Sequence, residues 1–296
     1  MLKGRLGLET ARVPHTDRHG LMWLGRGNVY VESGTLRFVT AGYGDLGPGD
    51  YAIPFQMVSC LLLQPGTTVS HDALRILARH GTTVICVGED GVRFYASLPA
   101  GPAASARARR QILAWCNPET RISVVRKMYA LRLGEFLPST DINALRGMEG
   151  ARMKVIYQRL AERHGVRWQG RRYDRNDPES ADVANQAINH ASSAVEGAAL
   201  TAVAATGTLA ELGFIHEDSS NAFALDVSDL FRDSVLLPIA FRAASAILRK
   251  REGPVERIVR RFAAQTFRQE KLIVNMIDRI KFLIDGDDEH DDSRNA

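Results

Sequence analysis

At 296 residues, with 45% apolar and 24% charged residues, the chain is long enough to bury a sizeable core and reads as a globular protein of two domains. No window approaches the roughly 18 uninterrupted apolar residues of a membrane span, and Met1–Gly7 lacks the apolar core of a signal peptide, so membrane association is not expected. The net charge of +4 hides an asymmetry: six acids and one base crowd into the last twelve residues, and the remainder holds 37 basic against 28 acidic residues. Residues 101–170 alone carry 13 Lys/Arg against 5 Asp/Glu, so a polyanionic partner should touch that part of the chain.

Residues 1–20 show no periodicity and read as a flexible arm. Leu21–Leu24, Asn28–Glu32 and Thr35–Thr40 are rich in aromatic and branched residues, are separated by glycine turns, and predict strands joined as hairpins. Tyr51–Pro54 and Val58–Leu63 follow a Gly/Pro-rich loop; Ser70 then caps a helix, His71–His80, that ends at Gly81. Thr83–Val87 and Val92–Ala96 flank a Gly88–Gly91 turn. Residues 1–98 thus form a β-rich domain, and 99–106, with two prolines and small residues, a linker. Beyond it, three- and four-residue apolar spacing predicts helices over 104–116, 118–134, 140–164, 180–204, 226–250 and 254–284. The fold class is α+β, with a small N-terminal β-rich domain and a larger all-helical domain over 107–284. The acidic run 285–296 reads as a disordered tail. Cys60, Cys86 and Cys116 are odd in number and lie in apolar surroundings, predicting buried free thiols in a reducing, cytoplasmic setting.

The chemistry concentrates in Gly213–Arg232, where a loop with one histidine, His216, runs into a helix start bearing Asp226 and Asp229 on one face. A carboxylate near a helix start is also an ordinary cap, and the window alone leaves both readings open. Glu149 is bracketed by Gly147 and Gly150 inside a predicted helix, beside Arg146, Arg152 and Lys154. Each helical glycine costs about 1 kcal/mol relative to alanine, so the pair points to close backbone approach, either by a ligand or by a crossing helix. Three carboxylates and one imidazole suit Mg²⁺ or Mn²⁺ better than zinc. No Gly-x-x-x-x-Gly-Lys loop, Cys-x-x-Cys or His-Glu-x-x-His occurs, which argues against nucleotide-driven and zinc chemistry. Arg257, Arg260 and Arg261 share a helix face and suit phosphate contacts without base reading.

Gly66–His71, Gly91–Ser97, Val124–Met128, Leu145–Arg152, Gly165–Asp174 and Gly213–His216 followed by Asp226–Asp229 resemble, in order, the integrase subunit of CRISPR adaptation in its type I-E branch. The resemblance implies a β-rich domain that dimerises and a helical catalytic domain, two homodimers bridged by a small ferredoxin-like second subunit. The DNA implied is a fragment duplex with frayed 3′ ends and the CRISPR repeat. It implies Glu149, His216 and Asp229 as ligands of Mg²⁺ or Mn²⁺, with Asp226 assisting catalysis. DNA contacts are implied for Arg93, Arg146, Lys154, Arg171, Arg232, Arg257 and Arg260. The reaction implied is attack of a fragment 3′-hydroxyl on a phosphodiester at the repeat boundary. Where such proteins stack a tyrosine on the duplex end, this chain has Arg26, which passes that role to Trp23 or another ring. Two alternatives fit the same basic, helical domain: a stand-alone structure-selective nuclease of repair, and a catalytically silent DNA-binding scaffold.

Overall fold

The computed structural model describes residues 20–97, 105–134, 141–172, 181–250 and 253–285. The predicted arm, most of the predicted linker and the acids beyond Asp285 lie outside the described residues. Among the described residues eight strands come first: β1 (Leu21–Leu24), β2 (Gly27–Glu32), β3 (Thr35–Thr40), β4 (Gly49–Ala52), β5 (Cys60–Leu63), β6 (Thr67–Val69), β7 (Thr83–Val87) and β8 (Phe94–Ser97), with helix α1 (His71–His80) between β6 and β7. Helices follow: α2 (Ser105–Cys116), α3 (Pro118–Leu133), α4 (Ile142–His164), α5 (Val183–Thr206), α6 (Ala222–Asp229), α7 (Leu237–Lys250), α8 (Val255–Gln269) and α9 (Leu272–Asp285). The expected α+β class, strands before helices, is therefore what the chain forms. Among the described residues no helix is long and apolar enough to cross a membrane.

The strands make two four-stranded sheets, ordered β1-β5-β7-β8 and β4-β3-β2-β6. The β2–β3 hairpin forms as expected, but β1 does not pair with β2; it lies parallel to β5, Leu21 opposite Cys60. All four β5 residues are buried, and strand alternation explains why. Leu61 and Leu63 face α1 and the second sheet, whereas Cys60 and Leu62 face the helical half through Ala205 of α5. Helix α1 has the predicted ends: Ser70 Oγ accepts from the Ala73 amide, and Gly81 closes the helix at φ 65°.

Helix α5 is the axis of the helical half, packing against α6, α7, α8 and α9. Its Ala187, Ala191, Ala194, Ala198 and Ala202 are buried, and side chains this small let neighbouring helices approach closely. Several sequence expectations need correction. The helix expected over 226–250 is broken: α6 ends at Asp229, a π-turn spans Arg232–Leu236, and α7 follows. The helix expected over 254–284 divides at Lys271, whose φ of 48° leaves the helical region. Asp285, assigned to the tail, is instead the last residue of α9; it is buried and paired with Arg107 and Arg110, and helix α2 takes up the end of the expected linker. Of the cysteines only Cys60 is buried; Cys86 and Cys116 are exposed.

Candidate active site

The loop Gly213–Glu217 is fixed from three directions. Trp115 at the end of α2 donates its indole N–H to the Gly213 carbonyl at 2.8 Å. Arg121 of α3 reaches the Phe214 carbonyl at 3.0 Å, pairs with Glu217, and lies over the Trp115 ring. Asp226 completes the clamp from α6: its two oxygens accept the amides of Phe214 (2.6 Å), Ile215 (3.0 Å) and His216 (3.0 Å), and one of them meets His216 Nδ1 at 2.7 Å. Gly213 is dictated by this packing, because a Cβ there would lie 2.3 Å from the His216 carbonyl oxygen.

Asp226 is therefore not a helix cap. Helix α6 begins at Ala222, and its N-cap, Asn221, makes no side-chain capping bond. The carboxylate sits inside the helix, buried, and spends its acceptor capacity on the loop that carries the imidazole. With Nδ1 engaged by Asp226, the other ring nitrogen, Nε2, lies 3.9 Å from Asp229 Oδ2. The hydrogen bond to Asp226 raises the proton affinity of His216, against the opposing effect of burial.

His216, Asp226, Asp229 and Glu149 line one cavity of about 270 Å³, with Tyr129 and Arg132 of α3, Arg146 of α4, and Arg232. The structure thus brings together the four residues that the sequence separates. It does not gather them into a ligand set: among the described residues no three His, Cys, Asp or Glu side chains are grouped to hold a metal ion. Glu149 is instead paired with Arg132. That arginine is nearly inaccessible (4% exposed) and holds Glu149 Oε1 at 2.6 Å, with the Tyr129 hydroxyl 3.4 Å from the other oxygen. Asp233, in the π-turn, lies 3.6 Å from the same guanidinium; burial raises its carboxyl pKa, and Arg132 opposes that rise. Asp229 is paired with Arg232 at 3.0 Å, and Arg232 also donates to the Tyr157 hydroxyl at 3.1 Å. A Cβ added at Gly147 or Gly150 would meet nothing within 4 Å, so no described helix crosses α4 there.

The expected DNA-contacting residues fall into separate groups. Arg146 and Arg232 belong to the site cavity. Arg93, Arg257 and Arg260 line a second cavity of about 500 Å³, where Arg93 pairs with Glu256 at 3.0 Å. Lys154 is exposed on α4, and Arg171 is tied to Asn185 and Asn189 at the start of α5. Trp23 is partly exposed and lines a further cavity, of about 290 Å³, with Phe267, Arg268 and Lys271. Sequence reasoning missed Trp115, Arg121, Arg132 and Asp233. The available signal was Arg121 and Arg132 recurring on a helix of otherwise apolar spacing, and it names no partner.

The family model for CRISPR associated protein Cas1 matches residues 132–252, a span that holds all four cavity residues. The chain is 36% identical over 270 residues to the CRISPR-associated endonuclease Cas1 of Geobacter sulfurreducens, covering 91% of this chain and 85% of that one. It is likewise 36% identical to the CRISPR-associated endonuclease Cas1 of Escherichia coli, covering 91% and 86%. Among solved structures, a TtCas1–DNA complex superposes with a TM-score of 0.82 at 33% identity, covering 91% of this chain and 98% of that chain.

Proposed function

Because this chain belongs to the Cas1 family of CRISPR-associated proteins, we propose that it is a DNA endonuclease and integrase of CRISPR adaptation, joining 3′-hydroxyl ends of short DNA fragments into the array by transesterification. One observation carries the reading: Glu149, His216, Asp226 and Asp229 share a single cavity rimmed by Arg132, Arg146 and Arg232. Hard oxygen donors with one imidazole form a donor set that fits Mg²⁺ or Mn²⁺. Glu149, His216 through Nε2, and Asp229 would hold the ion, once Glu149 exchanges Arg132 for it. A divalent cation there lowers the pKa of an attacking hydroxyl and offsets charge on the phosphoryl group.

The chain's own groups supply the rest. Asp226 fixes the imidazole orientation and tautomer. Arg232, held between Asp229 and Tyr157, and Arg146, which donates to the Ile215 carbonyl, present positive charge where a scissile phosphate would enter. Transesterification breaks one phosphodiester as it makes another, so no nucleotide is consumed, consistent with the missing phosphate loop. The DNA of the TtCas1 complex supports the same partner for this chain. The β-rich half would serve as the pairing surface of a homodimer, with the small ferredoxin-like subunit bridging two such dimers.

The test is a strand-transfer assay with purified chain and its small partner in Mg²⁺ or Mn²⁺. Chelation, or Asp229→Ala, is expected to reduce joined product about a hundredfold or more, equivalent to about 2.7 kcal/mol of barrier. Joining that survives both treatments refutes the proposal. Cleavage of branched DNA without any joined product, with or without the partner, would replace integrase by stand-alone nuclease.

A further inference from the structure

Helix α8 separates two basic concavities. The first is the cavity of about 500 Å³ that holds Arg93, Arg257 and Arg260. Its charge is partly answered: Glu256 pairs with Arg93 at 3.0 Å and lies 3.7 Å from Arg260, while Asp90 pairs with Arg268 at 2.9 Å. The second, of about 390 Å³, lies between the C-terminal end of α4, α7 and the other flank of α8. Its wall contains Arg163, Arg242, Arg249 and Arg261 and no carboxylate. Arg261 lines both concavities, so the two adjoin at that residue.

Nothing described answers the charge in this second pocket. The contacts of its guanidiniums are with the Phe262 ring, 4.9 Å from Arg242 and 5.8 Å from Arg261, which orients two of them without neutralising either. His164, in the same wall, has its proton affinity lowered first by burial and then by Arg163, Arg242 and Arg249, as follows from their placement around it. The wall is also built rather than incidental, since Ser245 Oγ donates to the His164 carbonyl at 2.7 Å and ties α7 to the end of α4.

We infer that this pocket is a second phosphate-binding station, which receives the backbone of a DNA duplex that leaves the face of α8 over Arg261. The inference rests on the DNA-binding reading above and extends it to three arginines, 163, 242 and 249, that neither motif nor spacing singled out. Guanidinium groups engage phosphate through two parallel N–H bonds and stay charged at all working pH values. DNA is favoured over an acidic protein segment because the pocket adjoins a basic cavity at Arg261, and its larger apolar groups are already engaged: Ile258 is buried and Phe262 is faced by arginines.

The experiment measures binding of the full chain to mixed-sequence duplexes by fluorescence anisotropy, from about 50 to 200 mM salt. One duplex is long and one is too short to pass α8. Arg163→Gln/Arg249→Gln changes two exposed residues, so folding should be preserved, and circular dichroism verifies that. The expected result is that log affinity against log salt flattens by about 0.9 for each lost phosphate contact, nearly two for the pair, on the long duplex only. Unchanged affinity and slope on the long duplex, while Arg257→Gln/Arg260→Gln weakens both duplexes, would overturn the second station and leave DNA binding standing. Absence of duplex binding by the unmodified chain would overturn both. Loss of binding to polyglutamate without loss on the long duplex would also overturn it, in favour of an acidic protein partner.

Discussion

Asp226→Ala and Asp229→Ala, on the same short helix, are expected to fail in different ways. Asp226 is buried and accepts from three backbone amides and one imidazole. An unpaired buried donor costs about 1–3 kcal/mol. The Phe214 amide is fully buried and is assigned about 2 kcal/mol; the Ile215 and His216 amides and the ring, which water can reach, are assigned about 1 kcal/mol each, for a total of roughly 5 kcal/mol. Against a typical stability of about 5–15 kcal/mol, that is a drop in melting temperature of roughly 10–20 °C. Asp229 is partly exposed, and Arg232 retains the Tyr157 hydroxyl when Asp229 is lost. Its removal should cost about 1 kcal/mol or less after solvent screening. Urea denaturation followed by tryptophan fluorescence, run beside the strand-transfer assay, separates the two. Asp226→Ala should lose stability and joining together, Asp229→Ala joining alone. A stability of Asp226→Ala within about 1 kcal/mol of the parent, or equal losses in both variants, would refute the assignment of Asp226 as the clamp of the His216 loop.

Arg132→Gln frees Glu149 from its ion pair and should tighten Mn²⁺ binding about tenfold, or about 1.4 kcal/mol, while destabilising the fold; weaker binding by calorimetry would show that Arg132 does not compete with the ion. The pH response follows from His216, whose proton affinity the Asp226 hydrogen bond raises. A proton on Nε2 excludes a cation, so Mn²⁺ binding should decline as pH falls, with a midpoint above the ordinary imidazole value of 6.5. Asp226→Asn should move that midpoint down, and an unmoved midpoint would remove His216 from the ligand set. Gly147→Ala/Gly150→Ala should raise stability by about 1–2 kcal/mol, since both positions are helical and open. The close-approach reading requires duplex affinity to fall in that same variant.

Much of the strand and helix pattern was legible because it is local: Ser70 and Gly81 announce the ends of α1. Pairing across the chain was not. Leu21–Leu24 looks like a hairpin partner of its neighbour, yet its hydrogen bonds go to Cys60–Leu63, a choice set by which faces β5 must bury. Arg268–Lys271 is a run of helix formers, so the change of direction at Lys271 leaves no mark in composition. Asp226 was left open between cap and site because a carboxylate at a helix start and one inside a helix look alike in sequence; its burial within α6 excludes the cap. Glu149 does line the cavity, but its partner Arg132 sits on another helix, and nothing local records the pair.

The pairing of Asp285 with Arg107 and Arg110 also places a sharp limit on trimming from the C-terminus. Its carboxylate reaches Arg107 at 2.7 Å and Arg110 at 2.9 Å, so α9 is tethered to the start of α2 by its final residue. A carboxypeptidase removing the acids at 287–292 should leave stability unchanged until it takes Asp285, and the next step should then cost several degrees at once. Arg107 and Arg110 are thus already engaged from within α9 itself.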